Sequence, residues 1–376
     1  MPTRFSGFLC LLLFAASLSA CAGDSAVDAV PGGVDSDPDT REPMIPSTAG
    51  YHPYWSQAAW SAYDFGSIDV LFFFDQTVAF NGSIADRNGW PEQWGDLIAA
   101  ADASGTPIHV TISILDANIY RSVFGSEIAT ARLLAELEDL AASGSISGLH
   151  LDVEIFEPMD PGLRTAFTSF VETLSAALDA DHPDVALSLF VVASDPLDVY
   201  DERSLAAAVD FVVVQGYDLH WLTGDVAGPV APLTGWGDRN WHSILSHLDN
   251  LGVERRKMLF SVPFYGYEWP TEGPDPGSRT RGPGRLTTYA PSLVGVPSSR
   301  DQAVLFGMQR DSVSGSPWYS MQDSTGWMQG WFEDPVSLGH KVRYLSEQGL
   351  GGMVAFPLAY GDASMQDVLH SVRTQP

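Results

Sequence analysis

From Tyr51 onward the chain alternates short, apolar, β-branched and aromatic runs with longer amphipathic stretches, a pattern that predicts parallel strands separated by helices. The runs near 50–55, 67–75, 107–115, 146–154, 185–193, 210–217, 257–265 and 351–357 read as strands. Between them, Ala129–Ala142, Pro161–Ala180, Trp241–Leu251 and Pro335–Gln348 carry apolar residues at three- and four-residue spacing, which predicts helices. Pro161 and Pro335 suit a first helical turn, where a missing N–H costs little. Eight such units predict an α/β fold, a single (β/α)₈ TIM barrel over residues 49–374. Gly and Pro cluster in Gly273-Pro274-Asp275-Pro276-Gly277 and Gly282-Pro283-Gly284, so a small insertion is expected at about 270–332, between the seventh strand and its helix. No repeat of solenoid period is present.

The N-terminal segment follows a different pattern. Arg4 precedes an apolar run from Phe8 to Ala16 that is too short to span a bilayer and reads as the core of a signal peptide, residues 1–20. The run leads into Leu18-Ser19-Ala20-Cys21, which resembles a bacterial lipobox. Cleavage before Cys21 would leave a lipidated cysteine and a protein anchored in the cell envelope; a secretory signal with a chance cysteine is the alternative. Cys10 would leave with the signal, so the mature chain needs no internal disulfide. Residues 21–48 are mostly Asp, Gly, Ser, Pro and Ala and cannot offset their ordering entropy. They read as a disordered acidic tether with a reach of roughly 30 Å as a flexible coil.

With 45% hydrophobic residues in 376, the chain can bury a large core. Its formal charge of −28 argues against a nucleic-acid partner, because phosphate binding rests on clustered Lys and Arg. The membrane partner expected is the lipid at Cys21.

The chemistry concentrates in Ser147-Gly148-Leu149-His150-Leu151-Asp152-Val153-Glu154, where polar and apolar residues alternate through the fourth strand. Alternate side chains share a face, so Leu149, Leu151 and Val153 are expected towards the helices and His150, Asp152 and Glu154 inside the barrel. Glu154 falls at the C-terminal strand end, where barrel enzymes place their chemistry. Ionisable groups crowded inside a barrel are costly to bury, so a row of three calls for a reason.

These residues resemble glycoside hydrolase family 18, the chitinase family. Its fourth strand carries Asp-Gly-x-Asp-x-Asp-x-Glu, matched here at Gly148, Asp152 and Glu154, with Ser147 and His150 in place of the first two aspartates. Val214-Gln215-Gly216-Tyr217-Asp218 resembles the family's Met-x-Tyr-Asp motif with Gln215 for Met, and Pro263-Phe264-Tyr265-Gly266 resembles its seventh-strand motif. Glu333–Lys341 with Gly349–Met353 looks like the last βα unit, and Gly50-Tyr51 through Trp55 like the first strand. The resemblance implies a glycosidase acting on a β-linked, N-acetylglucosamine-containing polysaccharide, without cofactor or metal. It implies Glu154 as proton donor, the substrate's own 2-acetamido oxygen as nucleophile, Asp152 as the group that orients the acetamido N–H and stabilises the oxazolinium, and Tyr217 as the hydrogen-bond donor to the acetamido oxygen, with retention of configuration.

Substrate contacts are expected from His150, Asp218 and Gln215 and from the aromatic candidates Tyr51, Trp55, Phe73, His220, Trp221, Tyr265 and Trp269. Phe356 stands where the family usually carries the tryptophan under the cleavage subsite. A protonated His150 would hold Asp152 ionised and lower the pKa of Glu154. Two other readings compete: a chitinase-like lectin that keeps the barrel without turnover, and a metal site built on His150, Asp152 and Glu154. Within hydrolases, chitin, peptidoglycan and an N-glycan core all remain open as substrates. Proximity of a lipoprotein to the cell wall favours peptidoglycan, and repulsion between a polyanionic wall and a protein of charge −28 weighs weakly against it.

Overall fold

The computed structural model describes residues 45–374. The signal segment 1–20, Cys21 and the tether as far as residue 44 lie outside the described residues.

Eight parallel strands form the barrel: β1 (Thr48–Pro53), β2 (Val70–Val78), β3 (Ile108–Ile114), β4 (Gly148–Val153), β5 (Ala186–Val191), β6 (Phe211–Val214), β7 (Met258–Pro263) and β8 (Gly352–Phe356). Each pairs with the next, and β1 pairs with both β8 and β2, which closes the sheet as the eight-unit pattern requires. β1 ends at Pro53, short of the expected residue 55, because Tyr54–Ala62 turns into 3₁₀ helix. β2 runs on to Val78, past the expected 75, through a bulge between Phe73 and Gln76 that adds a residue against β3.

The helices have local causes in the sequence. Glu127–Ala142 is capped by Ser126, whose side chain accepts from the Ala129 N–H. Pro161–Asp181 begins with Asp160 as cap and Pro161 in its first turn. Trp241–Leu251 is capped by Asn240 and ends at Gly252, which takes the left-handed conformation that favours glycine (φ 76°). Pro335–Gln348 starts from a reciprocal capping box between Asp334 and Ser337.

Between β7 and that last helix the chain builds a second, antiparallel sheet, with strand order Arg285–Thr288, Tyr265–Thr271, Gly326–Trp331, Pro317–Asp323, Gln309–Arg310. It is tied to the barrel through Glu333. That buried carboxylate accepts from Ser316 Oγ at 2.9 Å and pairs with buried Lys341 Nζ, on the Pro335–Gln348 helix, at 2.6 Å. Arg310 adds a two-pronged contact to Asp334 at 3.1 and 2.6 Å.

Candidate active site

β4 sorts its side chains as its alternation implies. Leu149, Leu151 and Val153 belong to the apolar core, and Val153 lines a small void with Phe167 and Leu205 of the surrounding helices. His150 faces inward: its ring lies 4.5 Å from Phe72, Nε2 meets the Tyr51 hydroxyl at 2.8 Å and Nδ1 meets Ser188 Oγ at 2.9 Å. With both nitrogens taken and the ring fully buried, His150 lies beneath the site and turns no lone pair towards Asp152. Burial, then the neighbouring His109, holds its pKa well below the ordinary value, so the ring is neutral and the protonated state that would keep Asp152 ionised does not arise.

Above His150 stand Asp152 and Glu154. Asp152 is buried, and its Oδ1 accepts no hydrogen bond from the described residues. Its pKa is pushed well above the carboxylate range, first by burial and then by the charges of Glu154 and Asp75. Glu154 is pushed up to about 7, first by burial and then by Asp218. The strand end that carries Glu154 is bracketed by buried Tyr200, whose hydroxyl donates to Val153 O at 2.9 Å and accepts from the Ile155 N–H at 2.6 Å. A carboxyl group held this way can keep its proton at neutral pH and give it up to a basic oxygen.

The opposite wall comes from the ends of β6, β7 and β8. Tyr217 stacks on Phe356 with centroids 5.7 Å apart, and Tyr265 meets Tyr217 edge-on at 5.9 Å. Asp218 has a left-handed backbone (φ 56°) and accepts from the hydroxyls of Tyr265 at 2.7 Å and Tyr267 at 2.9 Å. Burial raises Asp218 to about 6, against the lowering effect of those two donors. Half-buried Phe356 floors the space, meeting Tyr51 and Phe74 edge-on at 5.3 and 5.5 Å. The Glu154 carboxyl and the Tyr217 hydroxyl make no hydrogen bond within the described residues, which leaves both for an incoming group.

The other expected contact residues are engaged within the protein. Phe73 points away from the lumen and packs on Trp90 and Trp94, at 4.8 and 5.1 Å, because it occupies the outward phase of β2. Trp269 is fully buried, its Nε1 donating to the carbonyls of Trp221 and Leu222, so it is a packing residue of the second sheet. Gln215 braces a loop by accepting from the Ala193 N–H at 2.9 Å. Trp221 lies under the Arg239 guanidinium, 4.5 Å from its ring. His220 bonds Pro229 O at 2.8 Å, and Trp55 donates to the Tyr360 hydroxyl at 3.0 Å. Tyr51, 2% exposed, supports the floor from below.

The model of the family described as glycosyl hydrolases family 18 matches residues 48–361. The chain belongs to that family. Similar proteins include one of Bacillus subtilis named putative sporulation-specific glycosylase YdhD, 25% identical over 305 residues, 77% of this chain and 66% of that protein. They also include mouse di-N-acetylchitobiase, 24% identical over 318 residues, 79% of this chain and 78% of that one. The chain thus spans about two thirds of the first and more of the second. The barrel matches a Chromobacterium violaceum chitinase (TM-score 0.70, 22% identity, 88% of this chain and 100% of that one). It also matches a chitinase-like agglutinin of Robinia pseudoacacia (TM-score 0.73, 19% identity, 86% and 98%). At those identities the two structures speak for the fold alone.

Two residues of this family 18 site escape the sequence reading. Asp75 enters the lumen from β2, where it interrupts the run Val70–Phe74, and accepts from Ser113 Oγ of β3. Its visible signal is a lone carboxylate at a strand end, but the bulge breaks the alternation that would have assigned its face. Tyr200 sits in a loop with no periodic signal at all. The wall opposite Glu154 yields a direct test. Asp218→Asn keeps the size and tolerates the left-handed backbone; removing the charge should bring the Glu154 midpoint below about 7 while burial keeps it above 4.5. A carboxyl-carbon NMR titration reads this, and an unmoved midpoint would show that Asp218 does not act on Glu154.

Proposed function

We propose that this family 18 protein hydrolyses a β-linked, N-acetylglucosamine-containing polysaccharide of the chitin type by a retaining, substrate-assisted reaction. The observation that carries the reading is buried Asp152 on β4 with half-buried Glu154 two residues on, just past the strand end, and Glu154 raised to about 7. A proton donor must be neutral when the glycosidic oxygen arrives, and a desolvated carboxyl beside other acids meets that requirement.

In the proposed reaction Glu154 gives its proton to the glycosidic oxygen as the C1–O bond breaks. The substrate's acetamido oxygen closes on C1, forming an oxazolinium ring. Asp152 holds the acetamido N–H and balances the positive charge, and the free Tyr217 hydroxyl steadies the acetamido oxygen. Phe356 and Tyr217 form the apolar floor on which a sugar ring rests. Water, deprotonated by the Glu154 carboxylate, then opens the ring and restores the acid. The relative named di-N-acetylchitobiase supports a substrate built from N-acetylglucosamine, and peptidoglycan strands and N-glycan cores belong to the same chemical class.

Glu154→Gln keeps the shape and removes the proton, so kcat should fall by about 10²–10⁴ on the responsive polymer while binding survives. Full activity in that variant would overturn the assignment. Binding by the parent protein without turnover on chitin, peptidoglycan and N-glycan substrates would make it a lectin.

We also propose that Cys21 carries lipid and anchors the protein in the cell envelope, on the strength of Leu18-Ser19-Ala20-Cys21 following the apolar run. No helix among the described residues is long and apolar enough to cross a membrane. Cys21→Ala should move the protein from the membrane to the soluble fraction; continued membrane partition of that variant would refute the anchor.

A further inference from the structure

Besides Asp152, the site contains a second fully buried carboxyl group, which the proposed reaction does not use. Asp75, at 1% exposure, comes from β2, and Ser113 of β3 stands between it and Asp152. Ser113 is the direct register partner of Asp152 across β3 and β4, and its hydroxyl donates to Asp75 Oδ2. Asn88 Nδ2 adds bonds to the Asp75 backbone oxygen at 2.8 Å and to Oδ1 at 3.3 Å. Asp75 is thus supplied with two donors suited to an anion. Asp152, at the same level of the lumen, has a buried Oδ1 with none. Two acids so placed do not share charge evenly: the solvated or donor-rich one ionises and the orphaned one keeps its proton.

We propose that Asp75 is the proton acceptor for Asp152, a positioning residue that acts through Asp152 and never touches the sugar. The inference rests on the hydrolase reading above. In the resting site Asp75 is the anion and Asp152 the neutral acid. When positive charge develops on the closing oxazolinium, the Ser113 hydroxyl proton passes to Asp75 Oδ2 as the Asp152 proton passes to the Ser113 oxygen, so Ser113 stays a neutral hydroxyl and Asp152 becomes the carboxylate that the cation needs. No proton is gained or lost overall, and opening of the ring reverses the transfer.

The electrostatic surroundings agree. Asp75 is raised only to about 6, by burial and then by Asp86 against the Ser113 hydrogen bond, whereas Asp152 is raised well above the usual range, in part by Asp75 itself. The titratable groups facing Asp75 are Tyr54, Asp86 and Asp152; those facing Asp152 are Tyr51, Asp75, Glu154 and Tyr217, with His150 beneath them on Tyr51. His150 is neutral, so no cation in this set competes for the role. The acidic limb of activity therefore belongs to Asp75, near about 6, and the alkaline limb to Glu154, near about 7.

The test uses Asp75→Asn, which keeps an acceptor for Ser113 and removes the charge, with Asp75→Ser as a smaller replacement if the amide folds poorly. In protein labelled at its aspartate carboxyl carbons, the Asp152 signal, identified by its loss in Asp152→Asn, should titrate at lower pH in the Asp75 variants. On a hydrolysed polymer, kcat should fall by about ten- to a hundredfold with KM changed less than about twofold, and the acidic limb near 6 should move while the alkaline limb stays. An Asp152 midpoint unmoved in a folded variant, or an unchanged acidic limb, would overturn the proposal. The titration needs no turnover, so a protein inactive on every polymer would remove the hydrolase reading and leave the pairing decided by NMR alone.

Discussion

Four carboxyl groups crowded at one end of the barrel cannot all be ionised, and the rest of the site is arranged around that constraint. Taking a carboxylate out of water costs several kcal/mol unless donors replace the lost hydration. Here the donors are distributed unequally. Asp218 receives two tyrosine hydroxyls and Asp75 receives a serine and an amide, while Asp152 and Glu154 receive none from side chains. The two well-supplied acids ring the two undersupplied ones and hold their protons in place.

Rigid backbone makes this arrangement durable. Glu154 stands at a strand end fixed by Tyr200 on both flanking peptide groups, and Asp152 and Ser113 are locked in register by the parallel ladder. Beneath them Tyr51, Phe72, His150 and Ser188 fill the lumen, so the acids cannot sink away from the mouth. The histidine at position 150 belongs to this support. It closes a neutral hydrogen-bonded chain from Tyr51 to Ser188.

The barrel is legible in the sequence because strand and helix periods differ cleanly. The helices Trp241–Leu251 and Pro335–Gln348 match to the residue, since caps and glycine stops mark their ends. The β4 row is legible for the same reason: period two survives from Leu149 to Glu154. β2 is not, because five apolar residues in succession hide which face each takes and the bulge then changes the phase, so Phe73 reads as a site residue and Asp75 goes unseen. The strand Tyr265–Thr271 is obscured by Pro270, tolerated because pairing with Arg285–Thr288 stops at Glu268 and no N–H is needed on that side. Trp269 looks exposed to sugar only while that strand is mistaken for loop.

The central chemical claim is that the nucleophile comes from the substrate and not from the protein. Attack by the acetamido oxygen followed by water inverts the anomeric carbon twice, so the first product from a β-linked substrate must be the β-anomer. Proton NMR of the anomeric signals in the first minutes of digestion, before mutarotation, measures this directly. Initial β-product is the expected result, and initial α-product would contradict it.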